Sequence, residues 1–164
     1  MIKLYKGSKG ALRLYHEAWS ADVTITEHWG KLGERGDTRD HALSEAEVDD
    51  PDDALEAVLA SARASGFAEL DDEELQLLLI EYRIQGMGSA ADLSKRRALE
   101  DRMNEVLGWL GLGQCDGGNI GWGTMEVCCS VVDFALARSM IEADLAGSAF
   151  GDYSRIFAQR HRAS

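Results

Sequence analysis

Two stretches of this chain alternate strictly between two sets of side chains, and nothing else in the sequence constrains the fold as much. In VTITEHW, Val23, Ile25, Glu27 and Trp29 alternate with Thr24, Thr26 and His28. In TMEVCCSVV, Met125, Val127, Cys129 and Val131 alternate with Thr124, Glu126, Cys128 and Ser130. A period of two suits a half-buried antiparallel strand and does not suit a helix. The chain therefore has two sheet-forming regions, far apart in sequence.

Residues 2–5, 11–19 and 23–29 read as strands, rich in β-branched and aromatic residues and separated by the turn formers GSKG and SAD. An acidic loop containing Pro51 follows. DDALEAVLASARASGF then places Leu55, Val58, Leu59 and Ala62 at helical spacing, with Asp52 or Asp53 expected to cap its start and Gly66 to end it. After DDEE a second pattern begins. LQLLLIEYRI reads as a strand, and DLSKRRALEDRMNEVLGWLG as a helix whose apolar stripe is Leu93, Leu99, Met103, Val106, Leu107 and Leu110. GLGQCDGGNI ends in a glycine turn before TMEVCCSVV. Asp133 is placed to cap a helix through Leu145, and DYSRIFAQR closes as a strand. The expected fold class is α+β in two domains, residues 1–70 and 71–164. The second has the order β-α-β-β-α-β of a ferredoxin-like domain.

A formal net charge of −12 repels phosphate backbones and anionic membranes on average. The charge is uneven, however. Residues 1–43 hold seven Lys or Arg against six Asp or Glu, whereas residues 44–56 hold seven acids and no base. A local cationic face therefore remains open within the first domain. No apolar run is long enough to cross a bilayer, and MIKLYKGSKG lacks the apolar core of a signal peptide, so a cytoplasmic protein with no membrane partner is expected. Cys115, Cys128 and Cys129 form neither an even disulfide framework nor a CxxC metal spacing, and read as reduced thiols.

The first domain resembles the WGR domain family, named for a Trp-Gly-Arg motif. The features that carry the resemblance run in order: a strand RLYHEAW, a second strand VTITEHW, the motif WGKLGERGD, an extended segment with Arg39, and the helix DDALEAVLASARASGF. It covers roughly residues 3–70. Lys31 stands where the family name has arginine, and the acidic loop before the helix looks inserted. WGR domains occur in DNA-dependent poly(ADP-ribose) polymerases, where they contact a DNA end and neighbouring domains. The resemblance implies that Trp29 would stack on a sugar or base, that the backbone around Gly30 would approach phosphate oxygens, and that Lys31, Arg35 and Arg39 would reach phosphates. It implies no ADP-ribosyl transfer. The stretch DGGNIGWGTME is similar to a turn in the C-terminal parts of small uncharacterised bacterial proteins, which implies no activity.

Plainer readings stand beside these. Trp29 also reads as a core aromatic at a strand end, with its glycines serving only the turn. GNIGWG reverses the glycine order of a dinucleotide fingerprint and precedes a strand, so it reads as a wide hairpin with Trp122 at the tip as an interaction residue. His16, His28 and His41 lack ligand spacing and read as scattered surface histidines, with no metal or cofactor expected. In KRRALEDR, Lys95, Arg96, Arg97 and Arg102 interleave with Glu100, Asp101 and Glu105 at i,i+4 spacing, as on an ion-paired solvent face. No nucleophile elbow or Cys-His pairing marks an enzyme.

The expected function is non-enzymatic binding through Trp29, Gly30, Lys31, Arg35 and Arg39, to a nucleic acid end held weakly or to another acidic partner. A second expectation is an acidic protein-interaction or immunity-type protein, whose residues 44–53 bind a basic protein partner. Homodimer formation is expected through the second domain.

Overall fold

The computed structural model describes residues 1–8 and 11–159. The fold is mixed α+β, with two antiparallel four-stranded sheets. The chain divides into two compact units, Met1–Asp71 and Asp72–Ser164.

The first unit is a meander of β1 (Ile2–Ser8), β2 (Ala11–Ala21), β3 (Thr24–Lys31) and β4 (Asp37–Ala42), paired in that order. The turn expected at GSKG includes positions 9 and 10, which lie outside the described residues. The strand expected at 23–29 runs on through Gly30 and Lys31, and the segment with Arg39 is a full strand. Part of the acidic loop is a short helix, α1 (Glu45–Asp49), because Ser44 and Glu47 close a capping box at its start.

Helix α2 (Asp52–Ala64) contacts β1, β2 and β3 and buries Leu55, Leu59 and Ala62 against Leu4, Ala18 and Ile25. Asp52 and Asp53 do not cap it, since Pro51 occupies the cap position. They lie in the first turn, where negative charge complements the helix dipole. Leu59 is fully buried. Leu59→Ala is expected to cost about 2–5 kcal/mol, read from the urea midpoint of the first unit's unfolding.

The second unit contains β5 (Gln76–Arg83), α3 (Ala90–Trp109), β6 (Gly113–Gly121), β7 (Thr124–Val131), α4 (Phe134–Leu145) and β8 (Arg155–Gln159). Its sheet has the order β6-β7-β5-β8, with every neighbouring pair antiparallel. Helix α3 contacts β6 and β7, α4 contacts β5, and the two helices touch each other. The alternation that predicted β7 is preserved: Met125, Val127, Cys129 and Val131 are fully buried, and the residues between them are not. On α3 the innermost residues are Leu99, Met103 and Leu107, and on α4 they are Ala137, Ile141 and Leu145.

Helix α3 starts at Ser89, whose hydroxyl accepts from the Asp92 backbone N–H while the Asp92 carboxylate bonds Ser89 in return. Asp133 caps α4 through the Leu136 N–H at 2.9 Å. The cations of KRRALEDR find most of their partners off their own helix. Arg96 meets Glu100 four residues on at 3.3 Å, but Lys95 bonds Asp152 and Arg102 bonds Asp144, each at 2.7 Å.

The cysteines differ from the sequence expectation. Cys115 and Cys129, directly opposite each other on β6 and β7, form a disulfide, while Cys128 is free. Sequence spacing did not show the pairing because only the strand register brings the two together. The hairpin between β6 and β7 is tight rather than wide. Gly121 pairs with Thr124, which leaves Trp122 and Gly123 as a two-residue turn with both φ values positive. Trp122 is 90% exposed at its tip.

Candidate functional site

Register decides which side chains meet in the first sheet. β2 and β3 pair Tyr15 with Gly30, His16 with Trp29, Glu17 with His28 and Ala18 with Glu27. Because successive residues face opposite ways, Tyr15, Glu17 and His28 share the face away from α2. His16, Glu27 and Trp29 share the face that α2 covers.

On the first of these faces a buried polar chain holds the loop between β3 and β4. His28 is fully buried and Glu17 is 5% exposed. The Glu17 carboxylate lies 2.8 Å from His28 Nδ1, and His28 Nε2 faces the Arg35 carbonyl oxygen and, at 3.0 Å, the Tyr15 hydroxyl. Tyr15 directs its proton to the carbonyls of Glu34 at 2.9 Å and Arg35 at 2.8 Å. Each imidazole nitrogen therefore meets an oxygen, Nδ1 the Glu17 carboxylate and Nε2 the Arg35 carbonyl. Burial raises the Tyr15 pKa well above its ordinary value, helped by the charges of Glu17, Asp37 and Glu34, so the phenol remains a donor.

The glycines of WGKLGERGD follow from this closure. A Cβ on Gly30 would lie 2.8 Å from Gly36 Cα and 3.0 Å from the Tyr15 hydroxyl oxygen. At Gly36, where φ is +68°, it would collide with the Trp29 carbonyl. The motif is therefore first of all a loop drawn tightly over Tyr15. Removing the histidine exposes what the clamp does. His28→Ala leaves the Glu17 carboxylate buried without its partner and is expected to destabilise the first unit by about 3–5 kcal/mol in chemical denaturation.

The five predicted site residues fall at one end of β3 and β4. Trp29 and Gly30 are half-buried, whereas Lys31, Arg35 and Arg39 are exposed. Trp29 is not an empty stacking platform. His16 stacks against it with centroids 5.7 Å apart and planes 28° from parallel, and the Arg39 guanidinium lies 5.5 Å from its ring centre. Lys31 approaches Glu34 at 3.9 Å with both side chains mostly exposed, an ion pair of little strength. Arg35 contributes its carbonyl to the buried chain while its residue remains exposed.

The histidines are not scattered over the surface. His28 belongs to the buried chain, and His16 and His41 both bond Glu27, at 2.7 and 2.8 Å. Burial acts to raise the Glu27 pKa. The hydrogen bonds from His41 and His16, with their charges, together outweigh it and hold the carboxyl below its ordinary 4.5. Among the described residues no three His, Cys, Asp or Glu side chains form a group able to hold a metal ion.

A depressed folded pKa stabilises above the ordinary value and is lost as pH falls through the folded one. Wild-type stability is therefore expected to drop on acidification below about pH 4.5. Glu27→Gln should be less stable at neutral pH and show a flatter acid limb in denaturant titrations run at successive pH values. Sequence reasoning missed Tyr15, His16, Glu17, Glu27, His28 and His41. The available signal was that YHE on one strand and EHW on the next carry complementary donors and acceptors.

No protein-family model matches the chain, and no curated protein or solved structure is similar enough to match it.

Proposed function

We propose that this chain is a non-enzymatic binding protein whose first unit is a WGR-like module for nucleic acid ends, with Lys31, Arg35 and Arg39 as the contacts for phosphate. The observation that carries the reading is the clamp beneath the loop. Tyr15 and His28 hold the carbonyls of Glu34 and Arg35 from the buried side, so the turn that carries Arg35, four residues beyond Lys31, is fixed from beneath. Preorganisation of this kind lowers the entropic cost of binding. Trp29 serves in this reading through its half-exposed edge and by carrying Arg39, because His16 already stacks on the ring. The order β6-β7-β5-β8 on a β-α-β-β-α-β chain supports a ferredoxin-like second unit.

A net charge of −12 acts against a long electrostatic footprint, so the proposed contact is local and weak. A second reading has its own observation. Glu45, Asp49, Asp50, Asp52 and Asp53 are all exposed, in a stretch without a basic residue, which suits a basic protein partner.

Fluorescence anisotropy with short duplexes separates the two. The first reading expects binding at low salt that weakens as salt rises, with the slope of log affinity against log salt falling by about 0.9 for each phosphate contact removed. Lys31→Glu combined with Arg39→Glu should abolish it. Absence of any affinity at low salt, beside a stable complex with a basic protein, overturns the first reading in favour of the second.

A further inference from the structure

On the face covered by α2, the sheet ends in a cluster to which the phosphate reading assigns no role. His16 of β2 and His41 of β4 both present Nε2 to the single carboxylate of Glu27 on β3, which lies between them. Their side chains are 16%, 34% and 11% exposed respectively, close enough to water to exchange protons. His16 also stacks on Trp29, and the same indole carries Arg39. One imidazole thus touches both the shared carboxylate and the ring that holds a cation.

The surroundings define the charge balance. From β1, Lys6 lies over the Phe67 ring, whose plane meets His16 edge-on at 5.6 Å. On β4, Asp37 pairs with Trp29 and Arg39 pairs with Glu27. Lys31 of β3 is engaged by Glu34. Helix α2 buries only apolar residues here, Leu55, Leu59 and Ala62, and Arg63 near its end is held by Glu56 and Glu69. With both imidazoles neutral the His16–Glu27–His41 group carries one negative charge beside Arg39. With both protonated it carries one positive charge, and His16 becomes a second cation on an indole that already holds one.

We infer that His16, Glu27 and His41 form a proton-operated switch that sets whether Arg39 rests on Trp29. Each step adds one proton from water to one imidazole nitrogen and breaks no other covalent bond. Protonation of both imidazoles converts the cluster from attracting Arg39 to repelling it, and releases the guanidinium from the ring. The inference depends only on groups of the first unit, so it stands or falls separately from nucleic-acid binding.

Nuclear magnetic resonance of the whole chain, from roughly pH 8 to pH 5, tests it. The His16 and His41 ring carbon–proton signals should titrate as a coupled pair. The Trp29 indole N–H and the Arg39 Nε–H signals should shift with the same midpoints. In His16→Gln combined with His41→Gln both reporter signals should become flat over this range. If that double variant does not fold, His41→Gln alone should reduce two steps to one. A Trp29 indole signal that stays constant while the wild-type imidazoles titrate overturns the inference. So do imidazoles that fail to titrate over this span, or a Trp29 signal that still follows pH without them.

Discussion

A loop that crosses the face of a sheet has to place its backbone carbonyls somewhere, and the first unit depends on where these go. Glu34 and Arg35 turn theirs inward, to the Tyr15 hydroxyl and the His28 ring, away from water. An unpaired buried carbonyl or carboxylate costs more than a satisfied one contributes, so the arrangement is stable only when it is complete. Glu17 completes it by accepting from the far nitrogen of His28. Gly30 and Gly36 follow from the same closure, because side chains there would occupy the space between Tyr15 and the loop. Five separate sequence choices thus reduce to one condition, a fully bonded chain from Glu17 to the loop.

The two faces of that sheet solve different problems with similar residues. One buries a histidine and a glutamate to fix backbone. The other places two histidines and a glutamate at the margin of an apolar layer, where Leu4, Ala18 and Ile25 meet α2 and the layer gives way to Trp29 and Arg39. Among the described residues, the second unit has no buried polar chain of this kind on its inward face. Its β7 residues that face α3 are Met125, Val127, Cys129 and Val131, and its ion pairs, such as exposed Arg155 with Glu81, each keep at least one partner in contact with water. Stability there comes mostly from area removed from water.

Periodicity made the element order readable, because an apolar face must be buried whichever partner it meets. The strands around Ile25 and Val127 and the helices around Leu59 and Leu107 follow from it directly. The element ends were less readable, since they depend on local competition. Pro51 displaced two aspartates from a cap, and Ser44 with Glu47 turned an acidic loop into a helical turn. The interactions of the site were not readable, because they depend on register. Nothing in the spacing of His16, Glu27 and His41 along the chain reveals that three neighbouring strands bring them side by side. The same blindness hid the pairing of Cys115 with Cys129. Lys31, Arg35 and Arg39 were visible as cations on a glycine-rich turn, but the occupation of the Trp29 ring by His16 and Arg39 was not.

That pairing also limits how β6 can behave. The strand is an edge of its sheet, and between Cys115 and Gly118 its register slips by a bulge. An edge of this sort is the usual place for a strand to slide, peel away or exchange with another copy of the chain. A covalent rung at Cys115 fixes the segment before the bulge against β7. Any fraying is confined to the far stretch that ends at Trp122. The indole at the tip can therefore move with its hairpin without unzipping the sheet behind it.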